Sequence, residues 1–107
     1  MRIALDENLP LILREAFPSP HVVMTVQELG LSGIANGDLL DQLDGRFDTF
    51  VTADKNLKYQ QNLAARSIAI IELPTNRLPV LTPMFARIAK AVTAAHPGEY
   101  IVLTSDG

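Results

Sequence analysis

The 107-residue chain contains no cysteine and no tryptophan, and it has only two histidines. Without cysteine it has no disulfide framework, no thiolate nucleophile and no zinc-thiolate site. The histidines, His21 and His96, are far apart in the sequence and lack the spacing of a typical ligand pair. Any metal site must therefore be built from oxygen ligands.

Long apolar runs are missing as well. No stretch approaches the roughly 18 to 20 residues needed to cross a bilayer, and the start Met1–Asp6 reaches a carboxylate too soon for the core of a signal peptide. We therefore expect a cytoplasmic protein with no membrane partner. Glycine-rich phosphate loops of the GxGxxG or GxxxxGK type are also missing, which argues against a nucleotide-dependent enzyme.

Basic charge is scarce. The net charge of −3 at pH 7 argues against a protein that coats nucleic acid with a broad basic surface, because such affinity comes from neutralising phosphates. An enzyme that places metal ions between its own carboxylates and a phosphodiester remains compatible with this charge.

The chain has the composition of an ordinary globular protein, with 48% hydrophobic and 20% charged residues. Its length predicts one domain, residues 1–104, followed by a short tail, residues 105–107. Apolar runs, turn residues and helical periodicity predict strands at 2–5, 21–26, 47–52, 67–73 and 99–104, and helices at 9–17, 36–44, 56–65 and 82–95. This strict alternation predicts a three-layer α/β domain, with a central five-stranded parallel sheet and helices on both faces.

Acidic residues occur where such a fold binds ligands, beyond the carboxyl ends of its strands. Asp6 and Glu7 follow the first predicted strand, Asp54 follows the third, and Asp38 lies near the start of the second helix. We expect the carboxylates of Asp6, Asp38 and Asp54 to face one crevice. Gathered carboxylates repel each other, so a bound cation is the usual remedy, and hard oxygen ligands favour Mg²⁺ or Mn²⁺.

Each of these acids also has a structural interpretation that the sequence leaves open. Asp6 and Asp38 lie at helix starts, where a carboxylate favours the positive end of the helix dipole. Asp54 precedes another helix and competes with Asn56 as its cap.

Polar and basic residues surround the third acid. Amide side chains in this region are candidates to hold phosphate, sugar or base groups, and lysines are candidates to contact phosphate. A polar face on an exposed helix needs no function, and that alternative stays open. The candidate substrate contacts are Asn8, Lys55, Asn56, Lys58, Gln60 and Gln61.

Four segments resemble the PIN-like domains of unknown function related to VapC-type toxin ribonucleases. They are Arg2–Pro10, the turn Glu28–Gly33, Phe50–Leu57 and the run Tyr59–Leu63. The resemblance implies a compact parallel-sheet fold with an acidic pocket for Mg²⁺ or Mn²⁺ and ribonuclease activity on RNA. It also implies a toxin role opposed by an antitoxin protein in many relatives, and a homodimer.

By this resemblance Asp6 matches the acid after the first strand, Asp54 the acid after the third, and Asp38 an acid at the second helix. Many relatives carry a further Asp at the start of that helix, where this chain has Asn36. The departure removes one charge from the expected cluster.

The resulting hypothesis is metal-assisted phosphodiester hydrolysis, with Asp6 and Asp54 as direct metal ligands. Asp38 and Glu7 would hold a second ion or its waters. Two alternatives remain. A PIN-like binding module without catalysis would suit the substitution at Asn36. A phosphoacceptor receiver domain would also have acids after the first and third strands, but it requires a lysine at the end of the fifth strand, where the stretch Ile101–Ser105 contains none.

Overall fold

The structure, a computed structural model, describes residues 1–59 and 66–106. Its centre is a five-stranded sheet in which every neighbouring pair is parallel. The strands are β1 (Arg2–Leu5), β2 (Val22–Thr25), β3 (Thr49–Thr52), β4 (Ala69–Glu72) and β5 (Tyr100–Val102). This confirms the predicted α/β domain with a parallel five-stranded sheet.

Helices cover both faces of the sheet. The α-helices of the described ranges are α1 (Asn36–Leu43), α2 (Leu78–Leu81) and α3 (Phe85–Ala94), and short 3-10 helices span Leu11–Ala16, Leu57–Tyr59 and Thr82–Met84. Within the same two ranges, no helix has the length and apolar character needed to span a membrane.

A hydrophobic core lies between the sheet and the helices on each of its two faces, because alternate residues of each strand point to opposite faces. On one face Ile3, Val51 and Ile71 pack with residues of α2, α3 and the 3-10 helix Leu11–Ala16. On the other face Ala4, Phe50 and Ile70 pack with the leucines of α1 and with Leu57. Burial of both faces explains the nearly continuous apolar run of β4 in the sequence.

The strand order determines where a ligand is expected to bind. The order is β2-β1-β3-β4-β5, so the chain first moves outward from β1 to β2 and then crosses back to β3. The winding direction therefore reverses between β1 and β3, and open α/β sheets bind ligands in the crevice at the carboxyl ends of such a pair. Asp6 directly follows β1, and Asp54 lies two residues beyond β3.

Several element boundaries differ from those predicted. The last helix was expected to begin at residue 82, but Thr82 already continues an earlier helix: it has helical dihedral angles, and its hydroxyl donates to the carbonyl of Leu78 at 2.8 Å. Helical structure instead begins at Leu78, with proline in its first turn. Of the helix predicted over 56–65, residues 57–59 form a 3-10 helix, and residues 60–65 lie outside the described ranges.

The first predicted helix is also shorter than expected and is a 3-10 helix, Leu11–Ala16. Pro10 has an extended conformation at its start rather than lying inside the helix. The strands are trimmed in the same way, since β2 to β5 cover only the central residues of the predicted segments.

Candidate functional site

Asp6 is held firmly at the carboxyl edge of the sheet. Its backbone N–H donates to the carbonyl of Val51 at 2.9 Å, which continues the pairing of β1 with β3. Its carboxylate accepts the hydroxyl of Thr52 at 2.6 Å and the backbone N–H of Glu7 at 2.8 Å. These contacts fix both the backbone and the side chain of Asp6.

The environment of Asp6 disfavours its negative charge. Burial raises the pKa of Asp6 above its ordinary value, and the nearby charges of Glu7 and Asp54 raise this pKa further. The hydrogen bonds from Thr52 and from the Glu7 backbone lower the pKa, but they do not cancel the other effects. Asp6 and Asp54 are therefore close enough to interact electrostatically, and a cation between them would relieve the cost.

Asp54 is held from both sides. One carboxylate oxygen accepts the side-chain amide of Asn36 at 2.8 Å, and the other accepts the backbone N–H of Asn56 at 2.9 Å. The second contact closes the turn before the 3-10 helix Leu57–Tyr59, a local structural role of the kind that the sequence left open for Asp54. It does not exclude metal binding, because each carboxylate oxygen has more than one lone pair.

Thr52 joins the two acids. Its hydroxyl donates to Asp6 and accepts the backbone N–H of Asp54 at 3.0 Å, and the residue is 0% exposed. Thr52 was not among the predicted site residues. Its signal in the sequence is a hydroxyl residue that ends β3, two positions before Asp54.

The helix residue that reaches Asp54 is Asn36, the first residue of α1. Asp38 lies two residues further along α1 with an exposed side chain. Within residues 1–59 and 66–106, no group of three or more His, Cys, Asp or Glu side chains has an arrangement that could hold a metal ion. The site is thus centred on Asp6 and Asp54, and the role of Asp38 stays a prediction.

Glu7 supports the neighbouring loop. Its carboxylate accepts the backbone N–H of Gly33 at 3.5 Å, and its carbonyl accepts the side-chain amide of Gln27 at 2.8 Å. Gly33 has a φ of 77°, a backbone conformation that favours glycine. These contacts tie the loop after β2 to the turn that carries Asp6.

A further acid, Glu72, lies at the same edge of the sheet. Glu72 ends β4 beside Thr52, is 3% exposed, and accepts the hydroxyl of Tyr100 at 2.7 Å. Burial raises the pKa of Tyr100, as do its hydrogen bond to Glu72 and the charges of Glu72 and Asp54. The nearby backbone of Lys58 lowers the pKa of Tyr100, but it does not outweigh these effects. Glu72 was not predicted, although a charged residue at the end of an apolar strand was a visible signal.

The described residues among the predicted substrate contacts are all exposed, and they lie in two different segments. Lys55, Asn56 and Lys58 are exposed in the segment that follows Asp54, and Nζ of Lys58 lies 5.6 Å from the ring centroid of Tyr59. Asn8 is exposed, and its carbonyl accepts the side-chain amide of Asn76 at 3.2 Å. The predicted contacts Gln60 and Gln61 lie outside the described residues.

We expect Tyr100→Phe to lower the free energy of unfolding by about 1 to 3 kcal/mol, because it leaves the buried carboxylate of Glu72 without its hydroxyl partner. Glu72→Leu should have a smaller effect in the same direction, because the Tyr100 hydroxyl that it leaves unpaired is only partly buried. The double variant should lose less than the sum of the single changes, since it removes both polar groups together. Urea unfolding measures these energies. Tyr59→Phe, at an exposed tyrosine, is the matched control and should be nearly neutral. Strictly additive losses would show that the two residues do not act as a pair.

The donor set of the carboxyl edge fits a hard divalent cation held by few protein ligands. Mg²⁺ is commonly bound through one or two carboxylates, with waters and substrate phosphates completing its shell. Asp6 and Asp54 provide two carboxylates, and the raised pKa of Asp6 indicates that added positive charge would be stabilising.

Comparisons with protein-family models, with curated proteins and with solved structures give no match to this chain. Since an α/β fold of this kind serves many functions, the function has to be inferred from the side chains of the site.

Proposed function

We propose that the chain is a metal-dependent ribonuclease of the PIN-like type, with Asp6 and Asp54 as ligands of Mg²⁺ or Mn²⁺. One observation carries the proposal. The two acids follow β1 and β3, the strands between which the winding of the sheet reverses, and the hydroxyl of Thr52 hydrogen-bonds to both residues. Ligands of open parallel sheets bind at this position.

The bound cation would lower the pKa of a coordinated water and stabilise negative charge on the scissile phosphate. The chain's own residues hold the site in shape. Thr52 fixes the Asp6 carboxylate and the Asp54 backbone through one hydroxyl, and Asn36 orients the Asp54 carboxylate. Such supporting hydrogen bonds normally tune the affinity of a metal site.

RNA is the proposed substrate, and the segment after Asp54 is its proposed contact surface. Lys55 and Lys58 supply positive charge beside the acidic pair, and Asn56 supplies an amide. We further propose that Asp38 and Glu7 hold a second ion and that the protein is cytoplasmic. The family resemblance adds to the proposal a toxin role with an antitoxin, and a homodimer.

The direct test is cleavage of end-labelled single-stranded RNA oligonucleotides by the purified chain in Mg²⁺, in Mn²⁺ and in EDTA. We expect cleavage with either metal and none in EDTA, with activity restored when metal is returned. A parallel thermal melt should show stabilisation by Mn²⁺, because a ligand that binds the folded state raises its stability. Metal binding without cleavage would favour the non-catalytic binding module. Cleavage that persists in EDTA would contradict the proposal.

The strand order supports a second candidate, a phosphoacceptor receiver domain. The order β2-β1-β3-β4-β5 is that of receiver-type doubly wound sheets. The residues that follow β5 count against it, because they are Leu103 and Thr104 rather than the lysine that such domains use. Incubation with acetyl phosphate and intact-mass measurement tests this candidate. Addition of one phosphoryl group that is lost in Asp54→Asn would replace the ribonuclease proposal.

A further inference from the structure

A cavity of about 390 Å³ lies at the opposite, amino edge of the sheet. Its walls are the start of β1, the turn after α1, the residues just before β3 and β4, and the segment after α3. The volume is within the range of small-molecule sites, roughly 300 to 1,000 Å³. None of its lining residues belongs to the candidate site at the carboxyl edge.

Two arginines of this cavity lie against one aromatic ring. Cζ of Arg2 is 5.0 Å from the centroid of Phe47, and Cζ of Arg46 is 6.0 Å from it. Cation–π contacts of this length are attractive and help to orient the guanidinium groups. Phe47 itself is 4% exposed, so the ring serves as a buried base under the arginines.

Arg2 is further fixed by hydrogen bonds. Its Nε donates to the carbonyl of Arg46 at 2.8 Å, and its backbone N–H donates to the carboxylate of Asp48 at 2.7 Å. Across residues 1–59 and 66–106, the terminal nitrogens of Arg2 and the whole guanidinium of Arg46 have no hydrogen-bond or ion-pair partner. A fixed guanidinium with unused donors, such as that of Arg2, is typical of sites that bind oxyanions. The exposed side chain of Arg46, which lies over Phe47, adds a second guanidinium to the cavity.

The hydrogen bonds of Asp44 hold two walls of the cavity together in the absence of a ligand. Its carboxylate accepts the backbone N–H and hydroxyl of Ser67, at 3.0 and 2.9 Å, and the backbone N–H of Ile68 at 3.0 Å. Burial alone would raise the pKa of Asp44, but these hydrogen bonds outweigh it and hold the pKa below its ordinary value. The ionised carboxylate therefore ties the turn after α1 to the segment before β4, and two walls of the cavity are joined.

We propose that this cavity binds a small phosphate-bearing ligand, with the guanidinium groups of Arg2 and Arg46 on the phosphate oxygens. The guanidinium fork matches phosphate in a bidentate manner, and its planes also stack on nucleobases. Asp48 lines the same cavity and opposes ligands of high negative charge. A ligand with one phosphate group and a polar body, such as a mononucleotide, can bind the two guanidinium groups without bringing further phosphate charge to Asp48. Such a ligand also fits the volume of the cavity.

The test is a titration of the full chain in EDTA, followed by amide NMR, with inorganic phosphate, AMP and acetate at constant ionic strength. We expect saturable shifts around Arg2, Arg46 and Ser67 with phosphate and AMP, and much smaller shifts with acetate. Arg46→Ala should weaken phosphate binding about tenfold, and Arg46→Lys should weaken it too, because lysine keeps the charge but loses the fork. Arg87→Ala, at an arginine on α3 that does not line the cavity, should leave binding unchanged.

Absence of saturable shifts with both phosphate and AMP would overturn the inference. Equal affinity for acetate would overturn the assignment to phosphate, and equal losses in Arg46→Ala and Arg87→Ala would overturn the assignment to this cavity. If Arg46→Ala fails to fold, Arg46→Lys tests the same assignment, because it keeps the charge and should still bind phosphate more weakly. The outcome does not depend on ribonuclease activity, since no carboxyl-edge residue takes part.

Discussion

Replacement of both Asp6 and Asp54 by asparagine is expected to lower Mg²⁺-dependent RNA cleavage by at least about 100-fold. Cation stabilisation of a phosphodiester transition state contributes several kcal/mol, and each 1.4 kcal/mol corresponds to about tenfold in rate. Both substitutions keep the size of the side chain, so the contacts to Thr52 and Asn36 have near-equivalent partners. Initial cleavage rates at saturating Mg²⁺ measure the loss.

Two further variants make this result specific. Glu15→Gln removes one charge from an exposed acid of the 3-10 helix Leu11–Ala16 and should retain full activity. Asp38→Asn tests the third predicted acid, whose side chain is exposed on α1. Undiminished cleavage in the double variant at Asp6 and Asp54 would rule out these residues as the metal ligands.

In the metal-free protein, the effect of Asp6→Asn on the free energy of unfolding should depend on pH. The folded pKa of Asp6 is raised above its ordinary value of 3.8, so folding disfavours the carboxylate form. The resulting penalty is absent below the unfolded pKa, grows as pH rises through the folded pKa, and is complete above it. In EDTA the variant should therefore gain more stability over the native chain at neutral than at acidic pH. Urea unfolding at both pH values checks this, and a gap independent of pH would contradict it.

Asn36→Asp is expected to destabilise the metal-free protein and to strengthen its metal site. The change removes the amide that donates to Asp54 at 2.8 Å and puts a like charge beside that carboxylate. We expect the free energy of unfolding in EDTA to fall by about 1 to 3 kcal/mol. A third carboxylate near the cation should raise Mn²⁺ affinity about tenfold or more, since a charge pair at partial burial contributes more than 1.4 kcal/mol.

Urea unfolding in EDTA and isothermal titration with Mn²⁺ measure the two opposite effects. Asn36→Ala is the matched control, because it removes the same hydrogen bond without adding charge. It should lose stability in EDTA and gain no Mn²⁺ affinity. If Asn36→Asp bound Mn²⁺ no better than Asn36→Ala, the start of α1 would have to lie outside the metal site.

The fold was predictable because its signals are local. Each strand is a short apolar run between turn residues, and the alternation with helical segments determines a parallel sheet. The helix start at Thr82 was wrong because Thr82 and Pro83 imitate a cap and first turn, whereas an earlier Pro79 already begins a helix. Proline tolerates either position, so the local pattern could not choose between them.

The site was predictable only in part. Asp6 and Asp54 followed from their places after β1 and β3. Glu72 and Tyr100 meet because β4 and β5 pair in a particular register, with Ile70 opposite Tyr100, and this register is a long-range property. At the start of α1, Asn36 rather than Asp38 contacts Asp54. Successive helical residues differ by about 100° in direction, so a shift of two positions decides which side chain faces the sheet.

The shortness of the central strands sets how far apart the two edges of the sheet lie. β1 and β3 have 4 residues each, which corresponds to about 13 Å of extended backbone. Asp6 is partly buried, and salt screens charges much less across a protein interior than through open solution. The field of an anion held by Arg2 and Arg46 therefore reaches Asp6 through the sheet, and we expect such an anion to raise the pKa of Asp6. Occupancy of one edge of the sheet would in this way be sensed at the other.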